Sequence, residues 1–135
     1  MMKHSEEFKQ EAVRIALTSG LSRERVAKDL GNFYAQGIGV PRDYAQAANL
    51  FRLAARQGYA LAQTNLGALY SKGLGVTENS YKGYLWSIIA AAAGDDQAMV
   101  NRDVTAGRLS TAERSAAERQ AAACVEAKFQ LESCN

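Results

Sequence analysis

The chain has 135 residues, enough for one ordinary domain or a short repeat array and too few for a large multidomain enzyme. Its 16 basic and 14 acidic residues give a net charge of +2, and 47% of its residues are hydrophobic, which is typical of a globular protein and excludes a disordered chain or a polycation. No window contains the roughly eighteen consecutive apolar residues of a membrane-spanning helix.

The N-terminal stretch MMKHSEEFKQEAVR is charged where a secretory signal requires an apolar core. The sequence as written therefore predicts a cytoplasmic protein.

A ten-residue segment occurs twice in the chain. Gly31–Val40 reads GNFYAQGIGV, and Gly67–Val76 reads GALYSKGLGV, 36 residues later. The same shift continues downstream, where it relates Leu50 to Trp86. Repetition at this period predicts a protein built from stacked repeats.

Each period has the pattern of a helix, a turn and a second helix. From Tyr44, small and apolar residues at i, i+3, i+4 and i+7 predict a helix that ends near Gly58, and a second stripe predicts a helix that ends at Gly73. The stripes are Ala47, Ala48, Phe51, Ala54 and Ala55, and then Ala62, Leu66, Leu69 and Tyr70. The Gly-x-Gly-Val segments at 37–40 and 73–76 predict turns, because glycine adopts backbone angles that other residues resist.

The C-terminal part predicts one more helix. Ser110-Thr111-Ala112-Glu113 has the form of a capping box, which opens a helix that runs to about Lys128. Because every element is helical, we predict an all-α fold of about seven helices, stacked as αα-hairpins in a right-handed superhelix. We divide the chain into a helical N-terminal cap (1–30), the repeats (31–106) and a C-terminal capping helix with its tail (107–135).

The second period carries a specific pattern of small and apolar residues. It reads Ala62-x-x-x-Leu66-Gly67-x-x-Tyr70-x-x-Gly73-x-Gly75-Val76, followed by Trp86, Ala90-Ala91 and Gly94. This pattern resembles the Sel-like repeat (SLR), a relative of the tetratricopeptide repeat, and the resemblance covers about residues 30–106. It implies a tetratricopeptide-like solenoid that acts as a non-catalytic adaptor, with a protein or peptide partner on its concave surface.

The sequence departs from this pattern at two positions. Gly83 replaces the alanine of the first copy, Ala47, and Asp103 stands where a third Leu-Gly pair would place glycine. We therefore expect the array to stop after Gly94.

Residues 4–31 resemble a different family. This segment is similar to the start of the helix-turn-helix of an insertion-sequence transposase. The resemblance rests on HSEEFKQEAVR at 4–14 and on Gly20-Leu21-Ser22, Val26-Ala27 and Leu30-Gly31. The recognition helix of that family is missing, because SLR sequence follows Leu30-Gly31 directly. Residues 1–31 carry six basic and five acidic side chains, a mixed charge that supplies little phosphate neutralisation. We do not expect nucleic-acid binding, and a DNA-binding or transposition-related protein is the alternative function.

The sequence offers few groups for catalysis. His4 is the only histidine, which excludes a multi-histidine metal site, and its position in a terminus that we expect to fray argues against a histidine-based triad. The Gly-x-Gly segments lack the later Gly-Lys-Ser/Thr of a nucleotide site and follow helices, not strands. Trp86 and Tyr70 occupy positions that recur as Leu50 and Tyr34, which favours packing between helices. We predict no enzyme, no cofactor and no metal.

The resemblance implies that the first helix of each repeat lines the concave wall. We expect partner contacts at the outward positions of that wall. These are Arg25, Lys28 and Asn32, repeated 36 residues later as Leu61, Thr64 and Ala68.

Cys124 and Cys134 lie close together in sequence without a CxxC pattern, a spacing that would close a small loop in an oxidising compartment. Some exported SLR proteins carry a similar terminal pair, so the resemblance makes these two a candidate disulfide. It also gives the alternative localisation, a periplasmic protein whose export signal the N-terminal segment has replaced.

Overall fold

The computed structural model describes residues 23–130 and Cys134, and this part of the chain contains helices and no strands. The helices are α1 (Arg23–Gln36), α2 (Tyr44–Ala55), α3 (Ala60–Lys72), α4 (Ser80–Ala92), α5 (Asp96–Ala106) and α6 (Thr111–Glu126). The predicted all-α class is confirmed. The seventh helix, predicted upstream of α1, and the transposase-like residues 4–22 lie outside the described residues.

Helix starts are fixed by side chains at equivalent repeat positions. The Asp43 side chain accepts a hydrogen bond from the Gln46 backbone N–H at the start of α2, and Asn79 does the same for Lys82 at the start of α4. Such caps satisfy backbone donors that have no partner within the helix. The predicted capping box of α6 is present, since the Glu113 N–H donates to Ser110 Oγ while the Ser110 N–H donates to Glu113 Oε1.

Two of the predicted turn glycines are required by the backbone. Gly73 ends α3 with φ at 67°, and its N–H donates to the carbonyl of Leu69. Gly75 has φ at 72°, and a Cβ there would overlap the backbone of Tyr44 and Ala45. The second turn therefore packs against the start of α2, which joins one repeat to the previous one.

The core lies between the two helix pairs. α1 packs against α2 and α3 against α4, while α2 against α3 and α4 against α5 make the contacts between pairs. Trp86, Phe51 and Leu66 are fully buried, and Tyr70 is buried beside them. The predicted packing roles of Trp86 and Tyr70 agree with these positions. No helix among the described residues is long and apolar enough to cross a membrane.

The two helix pairs pack differently at the equivalent glycines Gly31 and Gly67, where the first helix of each pair crosses the second. In the first pair a Cβ on Gly31 would lie 2.7 Å from Cε1 of Phe51, so the Phe51 ring occupies the space above the glycine. In the second pair Ser87 stands at the Phe51 position, and a Cβ on Gly67 would lie 3.1 Å from the carbonyl oxygen of Gly83. Gly83 in place of alanine therefore permits close backbone packing of α3 on α4.

The third pair of helices departs from the repeat. Asp103 is exposed at the position of the buried Gly67, and α6 packs along α4. Two hydrogen bonds link them: Tyr81 Oη donates to Gln120 Oε1 at 2.6 Å, and Tyr84 Oη donates to Glu118 Oε1 at 3.0 Å. The repeat ends before α6, which caps the second pair.

The chain after α6 folds back over the core. Cys124 and Cys134 are joined by a disulfide and both are buried. Within the loop that they close, the Phe129 ring stacks on Trp86 with 5.9 Å between ring centroids. The Phe129 carbonyl accepts hydrogen bonds from the Arg56 guanidinium at 3.4 Å. The tail thus contacts α4 and the residue that follows α2.

Candidate partner-binding groove

A groove of about 210 Å³ lies between α1 and α3, and we call it the α1–α3 groove. α2 forms its floor through the buried ring of Phe51. Small side chains, among them Ala68, keep the groove open. Its polar lining consists of Asn32 and Gln36 from α1 and of Asn65 and Lys72 from α3.

Two asparagines connect the walls of the groove. Asn65 Nδ2 donates a hydrogen bond to Asn32 Oδ1 at 3.2 Å, and both side chains are partly buried. Within residues 23–130 this is the one hydrogen bond that these two amides make. Each amide has two N–H donors and one carbonyl acceptor, so the pair retains N–H groups on Asn32 and the carbonyl of Asn65 for another molecule.

The charge near the groove is positive at one end. Lys72, in the last turn of α3, lines the groove and is exposed. Tyr44 also lines it, and the guanidinium of the exposed Arg42 lies over the Tyr44 ring, 5.7 Å from the centroid. Among the described residues, the groove lining contains no carboxylate. This end therefore favours an anionic group.

The structure brings two of the six predicted contact residues, Asn32 and Ala68, into the groove. Arg25 and Leu61 are exposed elsewhere on α1 and α3. Lys28 is half-buried, with its Nζ 3.1 Å from Asp29 Oδ1 and 5.6 Å from the centroid of the Tyr59 ring.

The outward position expected for Thr64 is wrong. Thr64 is only 4% exposed, and its hydroxyl donates to the Ala60 carbonyl of its own helix at 3.1 Å. α3 packs against α2, α4 and α5, so more of its surface is covered than the spacing of the repeat suggests.

Sequence reasoning missed Asn65, Lys72 and Gln36. The repeat relates Asn32 to Ala68, 36 residues away, whereas the hydrogen-bonded partner is Asn65, 33 residues away. Asn32 thus faces a residue one turn away from its repeat equivalent on α3. The predicted contact set paired only residues 36 apart, so it did not include Asn65. No signal in the sequence singles Asn65 out.

The shifted pKa values belong to other parts of the molecule. Burial raises the pKa of the Tyr84 phenol, and its hydrogen bond to Glu118 adds to the rise. Hydrogen bonds from the backbone and side chain of Ser110 lower the pKa of Glu113. Among residues 23–130 and Cys134, no three histidine, cysteine or acidic side chains lie together as metal ligands would. The described residues of the groove offer hydrogen-bonding groups, apolar surface and a positive charge.

The chain matches the Sel1 repeat over residues 27–59 and 60–95. The first matched repeat contains α2 and most of α1, and the second contains α3 and α4. The match begins upstream of the predicted start at residue 30 and ends short of the predicted end at 106. It does not support the transposase-like assignment of the N-terminal segment.

Two solved structures have the same fold. One is c5321, a protective antigen of uropathogenic Escherichia coli strains displaying an SLR fold, with 31% identity and a TM-score of 0.72 over 78% of this chain and 24% of that one. The other is a Sel1 repeat protein from Oxalobacter formigenes, with 27% identity and a TM-score of 0.62 over 75% of this chain and 44% of that one. The present chain thus spans less than half the length of either. A search of curated proteins finds no match. The family match covers just over half of the chain and coincides with its two helix pairs, so the chain belongs to the Sel1 repeat family.

Proposed function

We propose that this protein is a non-catalytic scaffold that binds a protein partner along the wall formed by α1 and α3. Sel1 repeats generally mediate protein–protein interaction. The observation that carries the proposal is the α1–α3 groove, where two repeats meet and leave partly buried hydrogen-bonding groups of Asn32 and Asn65 without a bond inside the described chain. Polar groups that line a groove and keep free hydrogen-bonding capacity can orient a bound molecule, so the pair supports a binding surface here.

The proposed contact residues are those of the predicted ladder that remain accessible on this wall. Asn32 and Ala68 belong to the groove, while Arg25, Lys28 and Leu61 extend the surface along α1 and α3. Leu61 is 52% exposed and precedes Asn65 by four residues on α3, so the two lie on the same side of the helix and the leucine adds apolar contact area for a partner.

Two leucines of equal exposure allow a matched test. Leu61 on α3 and Leu53 on α2 are each 52% exposed, so replacing either with glutamate changes the same chemistry at different places. The tagged protein is cross-linked in its source cell, purified, and its retained partners are identified by mass spectrometry. Leu61→Glu should lose a partner that Leu53→Glu retains, with both variants melting close to the wild type. Equal retention by all three proteins would refute the wall as the binding surface.

The family match begins at residue 27 and does not include the transposase-like residues 4–22, so we propose no second function for that segment. Of the two compartments predicted from the sequence, the Cys124–Cys134 disulfide supports the periplasmic alternative, since structural disulfides persist in oxidising compartments.

A further inference from the structure

The two free ends of the asparagine pair are complementary to a peptide group. A backbone peptide unit presents one C=O acceptor and one N–H donor. The Asn32 amide can donate to the first, and the Asn65 carbonyl can accept from the second, while the hydrogen bond of 3.2 Å between them holds the two amides together. An extended segment has such groups free, because its backbone is not engaged in a helix of its own.

Beneath the pair, the groove offers apolar surface. Phe51 and Leu69 are buried side chains that form part of its lining, and Ala35 and Ala68 contribute no bulk beyond Cβ. A space of about 210 Å³ over this apolar floor has room for a branched aliphatic side chain, which gains contact with Phe51 and Leu69.

Beyond the pair, towards the C-terminal ends of α1 and α3, the surface is cationic. Lys72 lines this end, and Arg42 lies over the ring of Tyr44, which also lines it. Lys72 is the one charged side chain among the described residues that line the groove, so an acidic side chain placed beside it on the bound segment gains a favourable charge contact.

We propose that the α1–α3 groove binds an extended peptide segment in which a branched aliphatic residue is followed or preceded closely by acidic residues, with the peptide backbone held by Asn32 and Asn65. This inference rests on the proposed function and names the chemistry of the partner. The occupant is an acidic segment of another protein, and a second copy of this chain is an outcome that the test recognises.

Fluorescence anisotropy of the full chain with labelled octapeptide pools tests this proposal. The acidic pool carries Leu, Ile or Val at its centre, Asp or Glu on both sides, and Ala, Ser or Thr elsewhere. A basic pool has Lys or Arg in place of the acidic residues, and a third pool is the acidic one with its central residue N-methylated. The acidic pool should bind saturably, and the other two should each bind at least about tenfold more weakly.

Variants locate the binding site. Asn65→Ala should weaken binding of the acidic pool about tenfold, while Gln97→Ala, which removes an exposed amide of α5 outside the groove, should leave it unchanged. Arg42→Glu combined with Lys72→Glu should reverse the preference, so that the basic pool binds more tightly than the acidic one. Because both residues are exposed, this double variant keeps the core intact.

Equal binding of the acidic and basic pools, no effect of N-methylation, or an unchanged preference after the charge reversal would each overturn the proposal. A dimer in light scattering that Asn65→Ala dissociates would also overturn it, because the groove would then hold a second copy. If Leu61→Glu loses a cellular partner while the acidic pool fails to bind, the scaffold function stands and this inference fails. If the acidic pool binds as described but no cellular partner depends on Leu61, the groove chemistry stands and the wider wall is wrong.

Discussion

Replacing both cysteines with serine should release the C-terminal tail from the core. The disulfide joins residues 10 apart in sequence and closes the loop that places Phe129 on Trp86. Phe129 and the preceding Lys128 have positive φ values of 61° and 53°, a conformation that residues with a Cβ adopt at a cost. Without the covalent link, the contacts of Phe129 with Trp86 and Arg56 must hold that backbone alone.

The size of the effect follows from the length of the loop. For a separation of 10 residues, the loop-closure relation gives an entropy of about 9 cal/mol/K, or about 2.7 kcal/mol at 25 °C. An unfolding entropy near 2.1 cal/mol/K per residue gives about 0.28 kcal/mol/K for 135 residues. The variant Cys124→Ser/Cys134→Ser should therefore melt about 10 °C below the oxidised wild type.

Intrinsic tryptophan fluorescence can monitor release of the tail, because Trp86 is the only tryptophan and is fully buried against Phe129. Tryptophan emission of the double variant should shift to the red, and its thermal unfolding should be compared with that of oxidised wild type. A reductant should lower the melting temperature of the wild type and leave that of the variant unchanged. Melting temperatures within about 2 °C of each other, with identical emission, would refute the role of the tail as a clamp on the core.

Gly31→Ala should lower the free energy of unfolding in urea by about 1–2 kcal/mol, because the overpacking cost of a Cβ 2.7 Å from Phe51 exceeds the helix propensity gained. This destabilisation should be smaller in a Phe51→Leu background. The same destabilisation in both backgrounds would contradict the contact. Gly75→Ala should cost more than Gly37→Ala, although both glycines have φ near 70°. A Cβ at Gly75 would overlap the backbone of Tyr44 and Ala45, whereas a Cβ at Gly37 would lie 3.5 Å from Arg42, an ordinary contact distance. Equal losses in urea unfolding would refute this. Folding lowers the pKa of Glu113, so its carboxylate stabilises the fold at pH values above its ordinary pKa of 4.5. This stabilisation is lost as the pH falls through the lowered pKa. The melting temperatures of wild type and Glu113→Gln should therefore differ at pH 7 and converge in acid. A gap that stays constant with pH would exclude the capping carboxylate as its source.

The repeat made most of the fold predictable. A stripe of small residues with period 36 predicted α2 to α4 and their turns, because glycine and alanine at helix crossings are needed for close packing wherever they recur. Ser110 and Glu113 predicted the start of α6 by a local rule that needs no tertiary information. Asp103 in place of glycine indicated where the repeat would end.

The groove was less predictable, because it depends on contacts between repeats. Thr64 and Asn65 are neighbours on α3, yet one is buried and the other reaches Asn32 on α1. A rotation of one residue about the helix axis decides between these outcomes, and the repeat fixes only the direction of the core. The packing of α6 along α4 could not be predicted either, because α6 lies outside the repeat and its position depends on tertiary contacts.

Nuclear magnetic resonance of the groove with the acidic pool bound tests the central claim most directly. The side-chain amide signals of Asn32 and Asn65 should shift or broaden on titration, together with backbone signals of α1 and α3, while the side-chain amide of Gln97 on α5 stays in place. Perturbations confined to α5 or α6, or none at saturating peptide, would contradict the account of this protein as a scaffold that binds through the α1–α3 groove.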